Sequence, residues 1–260
     1  MLTIDLDAKR TTIFLTLVML VLVVVHVIAM QANFNDSLGW KDASGFEYWQ
    51  IAVFDLDEEE SFGTWFSATI LLFTSVLMIA VASCLRTAAD SMYRWWMILG
   101  IGFGLMSIDE VVGLHELMAT ISESTTWTTV GVFVFLLAGL GFAPFLWHYR
   151  WRTSGLFLLA GTIYATGAIV VERYSGTDLN SLGYNMLTGL EEGLEMFGVI
   201  LAIYTVLDFK RGIDTGAAIS VTGGDPETKG AEAKTEKQTL KFHSPESYNN
   251  PQSGGSSFKQ

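Results

Sequence analysis

Apolar residues run along this chain in long, nearly unbroken blocks, and polar residues collect in the breaks between them. A block of about 20 apolar residues is long enough to cross a bilayer as a helix. Six such blocks stand out, at roughly 11–31, 64–85, 95–118, 127–149, 154–173 and 184–209. The pattern predicts an all-α fold: a six-helix transmembrane bundle over 1–211 with a disordered C-terminal tail over 212–260. The tail is rich in Gly, Ser, Lys, Glu and Asn with almost no apolar periodicity, and such a segment cannot bury enough surface to fold. His243, within it, therefore carries no weight.

The breaks give an orientation. Lys9 and Arg10, Arg86 and Arg94, Arg150 and Arg152, and Lys210 and Arg211 fall on one side if six spans alternate, against Lys41 and Arg173 on the other. Basic residues in short loops mark the cytoplasmic side, so both termini are expected there. The first block is too long for a signal-peptide core and lacks a small-residue cleavage site, so it reads as a retained span. The long outer loop, 32–63, is acidic and aromatic. Asp55, Asp57, Glu58, Glu59 and Glu60 lack the glycine and distal glutamate of a calcium loop. They read as a solvated cap with Ser61 as N-cap of the second helix, from which Glu60 is placed to reach down into the membrane.

Composition narrows the partners. Half of the 260 residues are hydrophobic and the formal net charge is −12. An acidic membrane chain has no basic patch for nucleic acid. One cysteine, Cys84, excludes an intrachain disulfide and a cysteine-based metal cluster, and it reads as a packing residue. Pro144 is expected to kink the fourth helix or mark its inner end. His148, beside Tyr149, Arg150 and Trp151, reads as interfacial.

The residues that do not fit the apolar pattern carry the chemistry. Asp109, Glu110, His115 and Glu116 sit in or beside the third block, Glu172 in the fifth, Glu191, Glu192 and Glu195 in the sixth, and His26 in the first. An ionisable group at bilayer depth costs several kcal/mol and by default marks a site. At 1.5 Å per residue, His26 lies about 22 Å from the cytoplasmic start of its helix, Asp109 and Glu195 about 21 Å, and Glu172 and Glu191 about 27 Å. Four helices thus deliver polar groups to one slab in the outer half of the membrane, with His115 and Glu116 a turn or two further out. On a continuous helix Asp109 and Glu116 point almost the same way, and Glu191, Glu192 and Glu195 span only about 100° of arc. Gly100 with Gly104, and Gly189 with Gly193, form small-xxx-small pairs on the opposite faces. Such pairs let helices approach closely, so each helix has a packing face and an acid face.

Carboxylates this close cannot all stay ionised in a low dielectric. Protons, Arg173 or metal cations must neutralise them. One or two divalent ions (iron, manganese or zinc by ligand type) would be held by Asp109, His115, Glu116, Glu191, Glu195 and His26. Glu110, Glu172 and Glu192 would then serve as catalytic base or outer shell. The Glu-x-x-His spacing of di-metal bundles is absent. Each residue also has a plainer reading: Asp109 and Glu110 as protonated interhelical hydrogen-bonders, Glu172–Arg173 as an interfacial ion pair, and His26 as a packing residue.

The strings Phe54-Asp-Leu-Asp-Glu-Glu-Glu-Ser-Phe-Gly-Thr-Trp-Phe-Ser67, Ser107-Ile-Asp-Glu-Val-Val-Gly-Leu-His-Glu116 and Glu191-Glu-Gly-Leu-Glu-Met-Phe-Gly198 resemble an uncharacterised group of bacterial multipass membrane proteins. The resemblance covers about the first 210 residues. It implies a bacterial inner-membrane setting and no particular activity. The alkaline-ceramidase-like hydrolases also keep polar residues within a helix bundle, but their histidine-rich zinc site has no counterpart here.

Three functions compete. The first is a metal-binding membrane protein, as an enzyme acting on a lipid or quinone of the outer leaflet. The second is a proton- or cation-coupled transporter, against which no inverted repeat and no acid trail in the inner half is visible. The third is a non-catalytic scaffold whose acids fix helix packing.

Overall fold

Lipid rather than water is the solvent for most of this surface, and the helices are built accordingly. The computed structural model describes residues 6–34, 52–113, 127–149, 151–174 and 182–222. These form α1 (Ala8–Phe34), α2 (Phe62–Thr87), α3 (Tyr93–Val112), α4 (Trp127–His148), α5 (Trp151–Tyr174) and α6 (Leu182–Thr222), with no strand among the described residues. The first five are long and apolar enough to cross a membrane. The sixth is interrupted by Glu191, Glu192 and Glu195, and then by Asp208, Lys210 and Arg211. Exposed Ile13, Phe14, Leu17, Leu20, Val21, Val24 and Ile28 along α1, and Val132 through Leu140 on α4, form surfaces that only a bilayer would solvate well.

α6 is the common partner. It packs against α1, α2 and α5, while α3 lies mainly on α2. Met196, Val199, Ile200, Ile203 and Val206 of α6 are fully or almost fully buried. The first four join Met19 of α1 and Phe66, Ile70 and Leu71 of α2 in one core cluster, and Val206 joins a second with Met78, Leu85, Trp96 and Phe145. Between helices already out of water, association depends on close van der Waals packing and hydrogen bonds, and the small residues supply it. A Cβ on Gly100 would meet Ile79 at 2.8 Å, and one on Gly104 would meet Ser75 Oγ at 3.1 Å. The Ser75 hydroxyl donates to the Gly100 carbonyl at 2.6 Å, and Ser107 donates to the Ala68 carbonyl at 2.8 Å. Gly189 and Gly193 face Val23 of α1. Both glycine pairs therefore mark packing faces, as their spacing predicts.

At the basic end, Trp96 is completely buried. It stacks on Phe209 (centroids 4.8 Å apart) and meets Phe145, Phe157 and Tyr149 edge-on. Its indole N–H donates to the Tyr149 hydroxyl at 2.8 Å. This cluster ties α3, α4, α5 and α6 together at that end. Above it α4 splays: from Val132 to Gly141 every residue is exposed.

Several expected boundaries move. α3 stops at Gly113, which takes the left-handed conformation (φ 62°) that a glycine adopts without steric cost. The rest of the stretch expected to run to 118 lies outside the described residues, and with it Glu116, whose direction was inferred from a continuous helix. α6 runs on to Thr222, past the expected end of the membrane domain at 211, because no proline interrupts it. α5 contains a π-helical stretch, Thr166–Val171. Cys84 is exposed rather than packed, while Pro144 lies inside α4 near its inner end.

Replacing Trp96 by alanine is expected to destabilise the bundle by about 3 kcal/mol, the scale of a large core truncation. Trp96→Phe should lose less, since it keeps one ring among these partners and gives up the hydrogen bond and part of the buried ring contact. Thermal unfolding in detergent micelles checks both. Equal, small losses would mean that the cluster does not hold the helix ends.

Candidate functional site

The acid end is built by α3, α5, α6 and the segment that enters α2. Glu110 stands on the last turn of α3, one residue after Asp109. Glu172 comes directly after the π-helical stretch of α5. Glu191, Glu192 and Glu195 occupy one face of α6. The geometry brings these together: Glu192 lies within electrostatic range of Glu195, Glu110 and Glu191, and of Asp57 from the outer segment. Glu195 lies within range of Glu110, Glu191 and Glu172, and accepts a hydrogen bond from the Tyr164 hydroxyl of α5. Three helices thus contribute five carboxylates to one cluster. All five, and Asp109, are half-buried, so the cluster is neither sealed in the core nor spread over the lipid surface.

Two local features make this possible. A π-helical turn is frequent at functional sites, and its extra residue shifts the side-chain register of the helix beyond it. Here it ends at Val171, and Glu172 is the next residue. Within it, Gly167 lies so close to α6 that a Cβ would meet the Glu191 carbonyl oxygen at 2.7 Å and Glu195 Cγ at 2.9 Å. One turn along, a Cβ on Gly198 would meet Tyr164 Cβ at 2.8 Å and the Ala160 carbonyl at 2.9 Å. The backbone of α5 is thereby pressed against the acid-bearing turns of α6. By contrast α3 is not flush with α6, and their acids approach through side chains.

Residues 52–61 cross the acid end as a strap. Asp57 accepts a hydrogen bond from the Tyr184 hydroxyl of α6 at 2.8 Å. The Glu59 carboxylate packs on Gly113, and buried Leu56 joins the core. Ser61 caps α2 as expected, accepting from the Thr64 N–H at 3.2 Å. Glu58, Glu59 and Glu60 are exposed, as a solvated cap requires. Asp57 of the strap lies within range of the cluster. An open depression of about 330 Å³ lined by Val53, Glu60, Ser61, Phe62 and Trp65 lies beside the strap; none of the five clustered carboxylates lines it.

His26 differs from its expected role as a ligand. It is buried, and the Leu56 N–H donates to its Nδ1 at 3.1 Å. An amide can only donate, so Nδ1 is the unprotonated nitrogen and Nε2–H donates to the Asn185 carbonyl at 3.2 Å. Neither nitrogen has a lone pair left for a metal in this arrangement. Asp55 lies against the same edge, 3.3 Å from Nδ1. His115 and Glu116 lie outside the described residues. Among the described residues no three His, Cys, Asp or Glu side chains form a ready ligand shell. Tyr164, Gly167 and Asp57 were not read from the sequence as parts of the site. Tyr164 and Gly167 stand three residues apart on one helix face, a signal that an acid-bearing partner helix would have made legible.

Gly167→Ala is expected to force α5 off α6, costing about 1–3 kcal/mol as an overpacked contact. Gly155→Ala, where a Cβ meets nothing within 4 Å, should be neutral or slightly stabilising as helix propensity dictates. Parallel melting curves check the pair, and equal behaviour would mean that α5 and α6 are not in close contact at Gly167.

No curated protein and no solved structure matches the chain. One family model, described as a domain of unknown function (DUF8692), matches residues 13–209. That stretch covers all six helices in whole or in part and every acid of the cluster, and the chain belongs to this family.

Proposed function

We propose that this chain is a six-span protein of a bacterial inner membrane, with both termini in the cytoplasm, whose outer half binds one or two divalent metal ions. The observation that carries the reading is the meeting of Glu110, Glu172, Glu191, Glu192 and Glu195 from three helices. Five negative charges in a low dielectric repel one another strongly, and a bound cation removes that cost. Glu191 and Glu195 from α6 and Asp109 from α3 supply the first oxygens. His115 and Glu116, just beyond the Gly113 stop, complete the shell. Glu110, Glu172 and Glu192 then serve as base or as hydrogen-bond partners that orient the ligands. Iron, manganese and zinc suit carboxylates with one imidazole. A metal at this height is accessible to the polar end of an outer-leaflet lipid or quinone, which is the substrate class we assign.

A second reading is favoured by one specific contact. The Tyr164 hydroxyl donates to Glu195, which orients that carboxylate while leaving it able to take up and release a proton. In that reading protons neutralise the acids, and the cluster is a relay for proton- or cation-coupled transport.

Metal analysis of protein purified without chelators separates the two. The metal reading predicts about one or two ions per chain, lost in Glu191→Gln with Glu195→Gln and released as the ligands protonate at low pH. Metal at background in folded wild-type protein would overturn it. Proton flux into proteoliposomes, abolished by Glu195→Gln, would then support the relay.

A further inference from the structure

The strap and His26 make a unit that the carboxylate cluster alone does not explain. Ten residues, 52–61, connect at the outer end to three different helices. On α1, buried His26 takes the Leu56 N–H on Nδ1 and passes its own Nε2–H to the Asn185 carbonyl of α6. On α6, the Tyr184 hydroxyl donates to Asp57. On α3, Gly113 receives the Glu59 carboxylate. Gly113 is three residues beyond Glu110, about 4.5 Å along the axis. Tyr184 is seven residues before Glu191, about two turns further out. The strap therefore crosses from the helix carrying Glu110 to the helix carrying Glu191, Glu192 and Glu195, on the aqueous side of both. Asp57 is itself near enough to be felt by Glu192.

The bonding at His26 is unusual for a span that faces lipid along much of its length. A buried imidazole with both nitrogens used by backbone groups of two other segments fixes those segments in place. Leu56, whose amide it holds, is buried, and its side chain presses on Gly63 at the start of α2. The exposed acids Asp57 to Glu60 come directly after it. A segment with an acidic outer face that is tied down at one buried point can attract cations and still obstruct their way in.

We propose that His26 is a positioning residue that latches the strap 52–61 over the carboxylate cluster, and that the strap governs passage of cations between the external water and that cluster. The inference rests on the cation-site reading for what passes, but not for the latch itself. His26 then touches no cation; it acts through Leu56 and Asn185.

The test uses full-length protein in nanodiscs, with His26→Leu and, as a milder variant that keeps the aromatic ring, Tyr184→Phe. A water-soluble carbodiimide labels accessible carboxyls, and mass spectrometry reads the rate at Glu191, Glu192 and Glu195. The latch predicts labelling faster by about fivefold for each hydrogen bond removed, in both variants. With manganese, association and dissociation rates should rise together in the variants and leave the Kd unchanged. A ligand role for His26 would instead weaken the Kd through dissociation alone, and that result overturns the proposal. Unchanged labelling in either folded variant overturns it too. If wild-type protein binds no manganese, the cation-site reading fails, and the labelling rates still decide the latch.

Discussion

Negative charge brought together where water is scarce is the constraint on which this molecule turns. A single half-buried glutamate can turn to the headgroups or hold a proton. Five on three helices repel one another unless something positive joins them, and two of the helices that carry them, α5 and α6, are held in close contact. Gly167 presses α5 onto the Glu191 and Glu195 turn. Gly189 and Gly193 press the other side of α6 onto Val23. The packing faces thus oblige the acid faces to meet, and the unfavourable term falls on the site rather than on the fold.

The two ends of the bundle divide the work. The basic end is held by Trp96 and its ring of aromatic neighbours, with Arg152 paired to Asp208 at 3.2 Å at the surface. The acid end has no comparable aromatic core among the described residues. It has hydrogen bonds between side chains and backbone, a π-helical turn, and a strap. Such an arrangement suits a rigid base and a polar, adjustable top. α4, anchored by Phe142, Phe145 and Tyr149 below, is exposed from Val132 to Gly141.

Much of this was legible in the sequence for a physical reason. Hydrocarbon demands long apolar runs, so helix number and approximate limits can be read from composition. Glycines spaced by four reveal packing faces, so the α2 side of α3 and the α1 side of α6 could be assigned. Ser61 was readable as a cap because its hydroxyl meets a free amide wherever a helix starts. Other features were hidden because they depend on a neighbour. Gly113 could have marked a helix end, but the apolar residues around it favoured continuation. The π-helical turn leaves no composition signal. His26 shares a depth with the acids, which invited a ligand role; that its nitrogens belong to Leu56 and Asn185 is a fact of tertiary structure.

The central claim is that a positive species lies between the acids of α3 and α6. An anomalous-scattering map from crystals of the full chain, grown without chelators, tests it most directly. A peak is expected about 2.0–2.2 Å from carboxylate oxygens of Glu191 or Glu195, with oxygens of Asp109 or Glu116 on its other side. A map with no peak, in which Glu110, Glu191 and Glu195 turn apart toward lipid, would contradict it.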